Sequence, residues 1–154
     1  MIYTPKLEPY GIFKAVLLDL DGKILEVQEV HNLVTQVGKN GWAKIANSES
    51  GFTGVVNYVA LGTGANAPAL GDTTLQTEVA RTTQVSGSNA RLASVVTQEF
   101  YFSPAVANVN IKEVGAFVDG TASADTGTLF DRALLDITKT SSNSLYIYFS
   151  LTFA

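Results

Sequence analysis

The sequence has no cysteine, which excludes disulfides, thiol catalysis and zinc–thiolate sites. It has one histidine, His31, so no cluster of imidazoles can form. Charge is scarce: 16% of 154 residues are Asp, Glu, Lys or Arg, and the net charge is −4. No basic run occurs, and the ten Lys and Arg are scattered from Lys6 to Lys139. That argues against nucleic acid and anionic membrane as partners, because phosphate binding rests on clustered cations. No apolar run approaches the ~20 residues of a membrane span. The first residues, "MIYTPKLEPYG", lack the apolar core of a signal peptide and suggest an extended docking arm over 1–12.

What is present is apolar and patterned in short runs. Hydrophobic residues make up 46%, enough for one sizeable core in a chain of this length. So little charge on a single domain also suggests that a partner covers part of its surface.

The stretch "AVLLDLDGKILE", Ala15 to Glu26, resembles the opening motif of haloacid-dehalogenase phosphatases, in which the first Asp attacks phosphate. Lys23 stands where that motif carries Thr or Val, and no alternation of strands with helices follows to build the required α/β sheet. Apolar runs on both sides of Asp21-Gly22 instead predict a β-hairpin with a two-residue type I′ turn. "GTGANA", Gly62 to Ala67, matches a dinucleotide fingerprint only in letters. Pro68, Leu70, Gly71 and Asp72 follow, and no helix starts there to meet a pyrophosphate. His31 lacks a G-x-S-x-G partner and is read as structural. The carboxylates form no EF-hand and are read as turn residues. No catalytic, cofactor or metal residue is assigned.

Beyond the first hairpin, Leu33, Val34, Val37, Gly41, Trp42, Ile45 and Ala46 fall near helical spacing. They predict one helix over about 32–47 with Asn32 as N-cap, in which Gly38 and Gly41 either weaken the helix or mark a face packed closely on a sheet. The remainder predicts strands at 55–62, 75–85, 91–102, 109–118, 128–137 and 145–153. In the 109–118 run the apolar phase slips by one residue, as at a β-bulge. The expected fold is mainly β: an antiparallel β-sandwich over 13–154 with one α-helix packed on it. In the last strand, "LYIYFSLTF", Tyr146 and Tyr148 alternate with Leu145, Ile147 and Phe149, and Tyr101 holds a comparable place. These tyrosines suggest a subunit interface or, less favoured, a sugar-stacking face.

Three segments together resemble small structural proteins of tailed bacteriophages. "DGKILEVQEVHNLVTQVGKNGWAKIA" resembles their "HNLVTNAG" opening. "VVNYVALGTGANAPALGDTTLQTEVARTTQV" resembles a strand, a GTG loop and D-T-x-L-x-x-E-x-x-R. "IKEVGAFVDGTASADTGTLFDRALLD" resembles an E-x-G-L-F segment followed by an L-x-x-R strand. The resemblance runs from about Asp21 to the C-terminus. It departs at Gln36-Val37-Gly38, where Asn-Ala-Gly is frequent, and at Ala116, where Leu is usual. It implies a non-enzymatic virion protein, tail-, collar- or fibre-associated, made in the bacterial cytoplasm and packed in many copies with itself and other virion proteins. Capsid decoration is the alternative in the same class. The recurrent charges would be Glu78, Arg81, Glu113 and Arg132, expected as ion pairs that fix the loop after Gly64. A host-glycan module using Asn66, Asp72 and Asn89 is the alternative of another class, weakened because Trp42, the only Trp, falls in the helix.

Overall fold

A computed structural model describes residues 9–153. The expected arm over 1–12 therefore lies mostly outside the described residues, and Tyr10 to Ile12 already belong to a strand. The order is β1 (Tyr10–Asp19), β2 (Ile24–His31), β3 (Leu33–Val34), α1 (Gln36–Ala46), β4 (Val56–Gly62), β5 (Glu78–Thr83), β6 (Ala90–Leu92), β7 (Val95–Phe102), β8 (Asn110–Val118), β9 (Thr128–Thr138) and β10 (Asn143–Thr152). Two five-stranded sheets form, β2-β1-β10-β7-β6 (sheet A) and β3-β9-β8-β4-β5 (sheet B), with every named strand pair antiparallel. The fold is an antiparallel β-sandwich with one helix.

Alternation builds the core. Phe13, Ala15 and Leu17 of β1 and Leu145, Ile147 and Phe149 of β10 point inward and are buried. They meet Val59, Leu61, Val114, Ala116 and Ile137 from the other sheet. Two glutamines tie the layers. Gln28 on edge strand β2 donates to the Asp136 carbonyl at 2.6 Å and accepts from its amide at 3.1 Å. Its side-chain amide thus stands in for a neighbouring strand along an open stretch of β9. Gln98 on β7 donates to the Val56 carbonyl at 2.8 Å. On the opposite side the chain after β5 crosses between sheets: Gln84 bridges Phe100, and the Val85 amide donates to the Glu99 carbonyl.

The helix starts at Thr35, not Asn32. Thr35 Oγ1 accepts from the Gly38 amide at 3.0 Å and donates to the Leu129 carbonyl, so it caps α1 and pins it to β9 at once. Leu33 and Val34 first pair with Arg132 and Asp131, which delays the helix by one short strand. Gly38 lies against the Phe130 backbone and Gly41 against the Phe52 ring, and a Cβ at either position would collide. The run 91–102 is also not one strand. Ala93 takes φ of 51°, and a tight turn folds β6 back onto β7. The expected slip in 109–118 is present as register shifts against β9 at Ile111/Glu113 and Ala116/Phe117. Strand β5 is shorter than the run 75–85, because Leu75 instead plugs the outer face of sheet B beside Ala60, Phe117 and Leu129.

The first turn differs in type. Only Gly22 has positive φ (84°), and its amide donates to the Asp19 carbonyl at 3.1 Å. Leu20 and Asp21 are the corners of a type I turn and Gly22 is the left-handed bulge residue, a three-residue loop rather than a two-residue type I′ turn. Asp19 Oδ1 accepts from the Asp21 and Lys23 amides at 3.0 and 2.9 Å. That carboxylate satisfies two amides the turn exposes, which the alternation of the strand could not reveal.

Candidate functional site

The two outer faces differ. That of sheet B is covered by the loop after β4 and held by the four motif charges. Gly62 and Gly64 leave room for the Glu113 carboxylate, since a Cβ on either would strike it. Glu113 Oε1 accepts from the Gly64 and Thr77 amides at 3.0 and 2.8 Å, and Oε2 from Gln76 at 2.9 Å. Arg132 closes the other side of Oε2 with Nε at 3.1 Å and Nη2 at 2.8 Å. It also donates to the Asn66 carbonyl and to Asp72 Oδ2, the latter at 2.7 Å. A fully buried carboxylate is thus balanced by three amides and a guanidinium, the condition under which a buried ion pair is tolerated.

Arg81 does the same work on the β8–β9 hairpin. It makes a two-point pair with Glu78 at 2.6 and 2.8 Å and donates to the Thr121 and Thr126 carbonyls. Its guanidinium lies 4.6 Å from the Phe117 ring centroid. Asn66 and Asp72 are committed to the Arg132 clamp, one through its carbonyl and one through its carboxylate. Asn89 instead lines a separate apolar cleft of about 290 Å³ near Trp42, Val96, Leu151 and Phe153. The three therefore do not converge. Trp42 is half-buried, edge-on to Phe52, Phe130 and Phe153.

Two polar groups inside the sandwich lack this balance. Asp131, on the inner side of β9, and Asn32, on the link from β2 to β3, meet over Gly11, whose missing Cβ makes the room. Both side chains are buried without a hydrogen bond of good geometry. Burial raises the Asp131 pKa well above its ordinary 3.8, and the nearby Arg132 amide and Asn32 side chain only partly oppose it. Lys139 is buried too, but its ammonium is met by the Ser103 and Val106 carbonyls and Asn108 Oδ1 at 2.8–3.0 Å.

Among the described residues no loop covers the outer face of sheet A. Register places residues in rows across four strands: Val27, Val16, Tyr146, Tyr101; then Glu29, Lys14, Tyr148, Glu99; then His31, Ile12, Ser150, Thr97. The three tyrosines proposed from sequence come together here. Tyr101 and Tyr146 are 4.9 Å apart between centroids, and Tyr146 stacks on Tyr148 at 6.0 Å and 19°. Burial, then the charge of Glu99 and the neighbouring Tyr146, raise the Tyr148 pKa. His31 lies in the outward row, away from the core. Toward the β1–β2 turn the face ends in aliphatics: Leu20, Ile24, Leu25 and Val27 are 69, 58, 51 and 47% exposed. Among the described residues no three His, Asp or Glu gather as metal ligands, and no helix is long and apolar enough to cross a membrane.

The fold and this open face define a β-sandwich with one covered side and one accessible side. No family model, curated protein or solved structure matches the chain.

Proposed function

We propose that this chain is a non-enzymatic building block of a tailed-phage virion, packed in many copies at the tail, collar or fibre. The phage assignment rests on the resemblance of the three sequence segments, and the structural observation that supports assembly in many copies is the aliphatic end of the open face. Four large hydrophobic side chains about half exposed or more on one hairpin are costly on a free surface and favourable in an assembly. The motif charges support it as well. Glu78, Arg81, Glu113 and Arg132 are spent on backbone and on one another, as befits a shape-holding rather than a reacting site. Capsid decoration would use the same surface and differs only in place on the particle.

Immunogold labelling tests this directly. Antibody against this chain should decorate intact phage particles released from cells that carry the gene, at a fixed position. Label confined to cell debris, with particles bare, overturns the proposal.

A further inference from the structure

The other end of the open face is built differently. Beyond the aliphatic hairpin lies a depression of about 410 Å³, lined among others by Lys14, Glu29, Thr97, Glu99, Tyr148 and Ser150. None of these six side chains makes a hydrogen bond within the described residues. That sets them apart from Glu78, Arg81, Glu113, Arg132 and Lys139, each of which is bonded internally. Two carboxylates, one ammonium and three hydroxyls thus face one concavity with their capacity unspent.

We propose that this depression is a binding subsite for a neutral or amino-bearing pyranose. A sugar ring presents a C–H face to an aromatic wall and hydroxyls to charged and polar groups. Tyr148 supplies the wall, about 39% exposed, and its stacking on Tyr146, itself against Tyr101, holds that ring in place before a ligand arrives. Glu29 and Glu99 accept from sugar hydroxyls, Lys14 donates, and short Thr97 and Ser150 leave the space between them. The volume lies at the lower end of small-molecule sites, the size for one or two rings.

Other ligand classes fit less well. A phosphate or nucleotide would meet two carboxylates against a single ammonium. A wholly apolar ligand would strip water from six polar groups and pair none of them. An extended peptide adds to a sheet edge, whereas β1 and β10 here are paired on both sides. The apolar cleft beside Trp42 offers no comparable set of free polar groups. The subsite does not depend on the virion reading, since it rests on a different end of the face.

Saturation-transfer NMR of the full chain with methyl glucoside, methyl galactoside, methyl mannoside and N-acetylglucosamine, each at millimolar concentration, tests it. At least one should receive saturation. Tyr148→Ala should weaken that binding roughly tenfold, Tyr148→Phe much less, and Ser150→Arg, which fills the depression, should abolish it. Leu25→Ala, at the far end of the face, should leave it unchanged. Both Tyr148 and Ser150 point outward, so the variants should melt near the parent. The proposal is overturned if no pyranoside binds, or if binding persists in Tyr148→Ala and Ser150→Arg. It is equally overturned if light scattering shows a second copy covering the face and the sugars do not compete with it.

Discussion

At the residue scale, the buried polar groups divide into those that are compensated and those, Asp131 and Asn32 among them, that are not. Asp131 sits in the core, where the nearby Asn32 side chain and Arg132 amide only partly offset its burial. Its raised pKa means that the native state holds the proton more tightly than the unfolded chain. That difference costs nothing below the ordinary value of 3.8 and grows as pH rises above it. It levels off once the pH passes the folded-state pKa. Asp131→Asn should therefore raise the melting temperature at pH 7–8 and converge with the parent near pH 4, checked by thermal melts across that range. A variant that gains nothing at neutral pH would show that the carboxylate is satisfied in solution. The first turn gives a second residue-scale prediction. Gly22→Val should cost about 1–2 kcal/mol, because φ of 84° strains any side chain even in open space. Asp19→Ala should cost about 1 kcal/mol by orphaning two amides. Urea melts would resolve both.

At the element scale, loops rather than strands are held by charge. The segment from Gly64 to Thr77 has no regular structure, yet three of its amides end on Glu113. Glu113→Ala should leave Arg132 buried without its main partner and cost about 3–5 kcal/mol. Hydrogen exchange should accelerate first at Gly64, Gln76 and Thr77, while β1 and β10 stay protected. Gln28→Glu should loosen the seam between β2 and β9, since a carboxylate cannot donate to the Asp136 carbonyl. Faster exchange at the Asp136 amide would report it. These couplings also explain what escaped a reading of the sequence at this scale. The extended run 91–102 hides a two-residue turn at Ala93-Ser94, where Ala93, a residue type with no turn signature, takes the positive φ that tight hairpins favour, and the Ser94 carbonyl accepts from the Phe153 amide. Likewise Asn32 reads as a good N-cap, but pairing of Leu33 and Val34 with β9 moves the cap to Thr35.

At the scale of the whole molecule, the asymmetry between faces organises everything else. Sheet B spends the long β4–β5 loop and four charges on covering itself, while among the described residues no loop covers the outer rows of sheet A. If the aliphatic hairpin packs against neighbours, Leu25→Lys with Val27→Asp should leave the monomer's melting temperature nearly unchanged and sharply reduce incorporation into particles. Normal incorporation would remove that hairpin from the assembly surface. The class of fold, the strands apart from the split of 91–102 and the short β3, the helix and the alternating tyrosines all follow from local pattern, because period-two and helical spacing are short-range properties. The phase slip in 109–118 was likewise visible as a break in alternation. Which charges pair was another matter: Glu113 and Arg132 are 19 positions apart and Glu113 and Gly64 are 49 apart, and only register across β8 and β9 brings them together. The same holds for the depression. Lys14 and Glu29, Tyr148 and Ser150, and Thr97 and Glu99 come from four strands, and their convergence exists only once those strands lie side by side with one face up. Periodicity tells each strand which side chains turn outward. It takes the order of strands in the sheet to decide which outward side chains become neighbours.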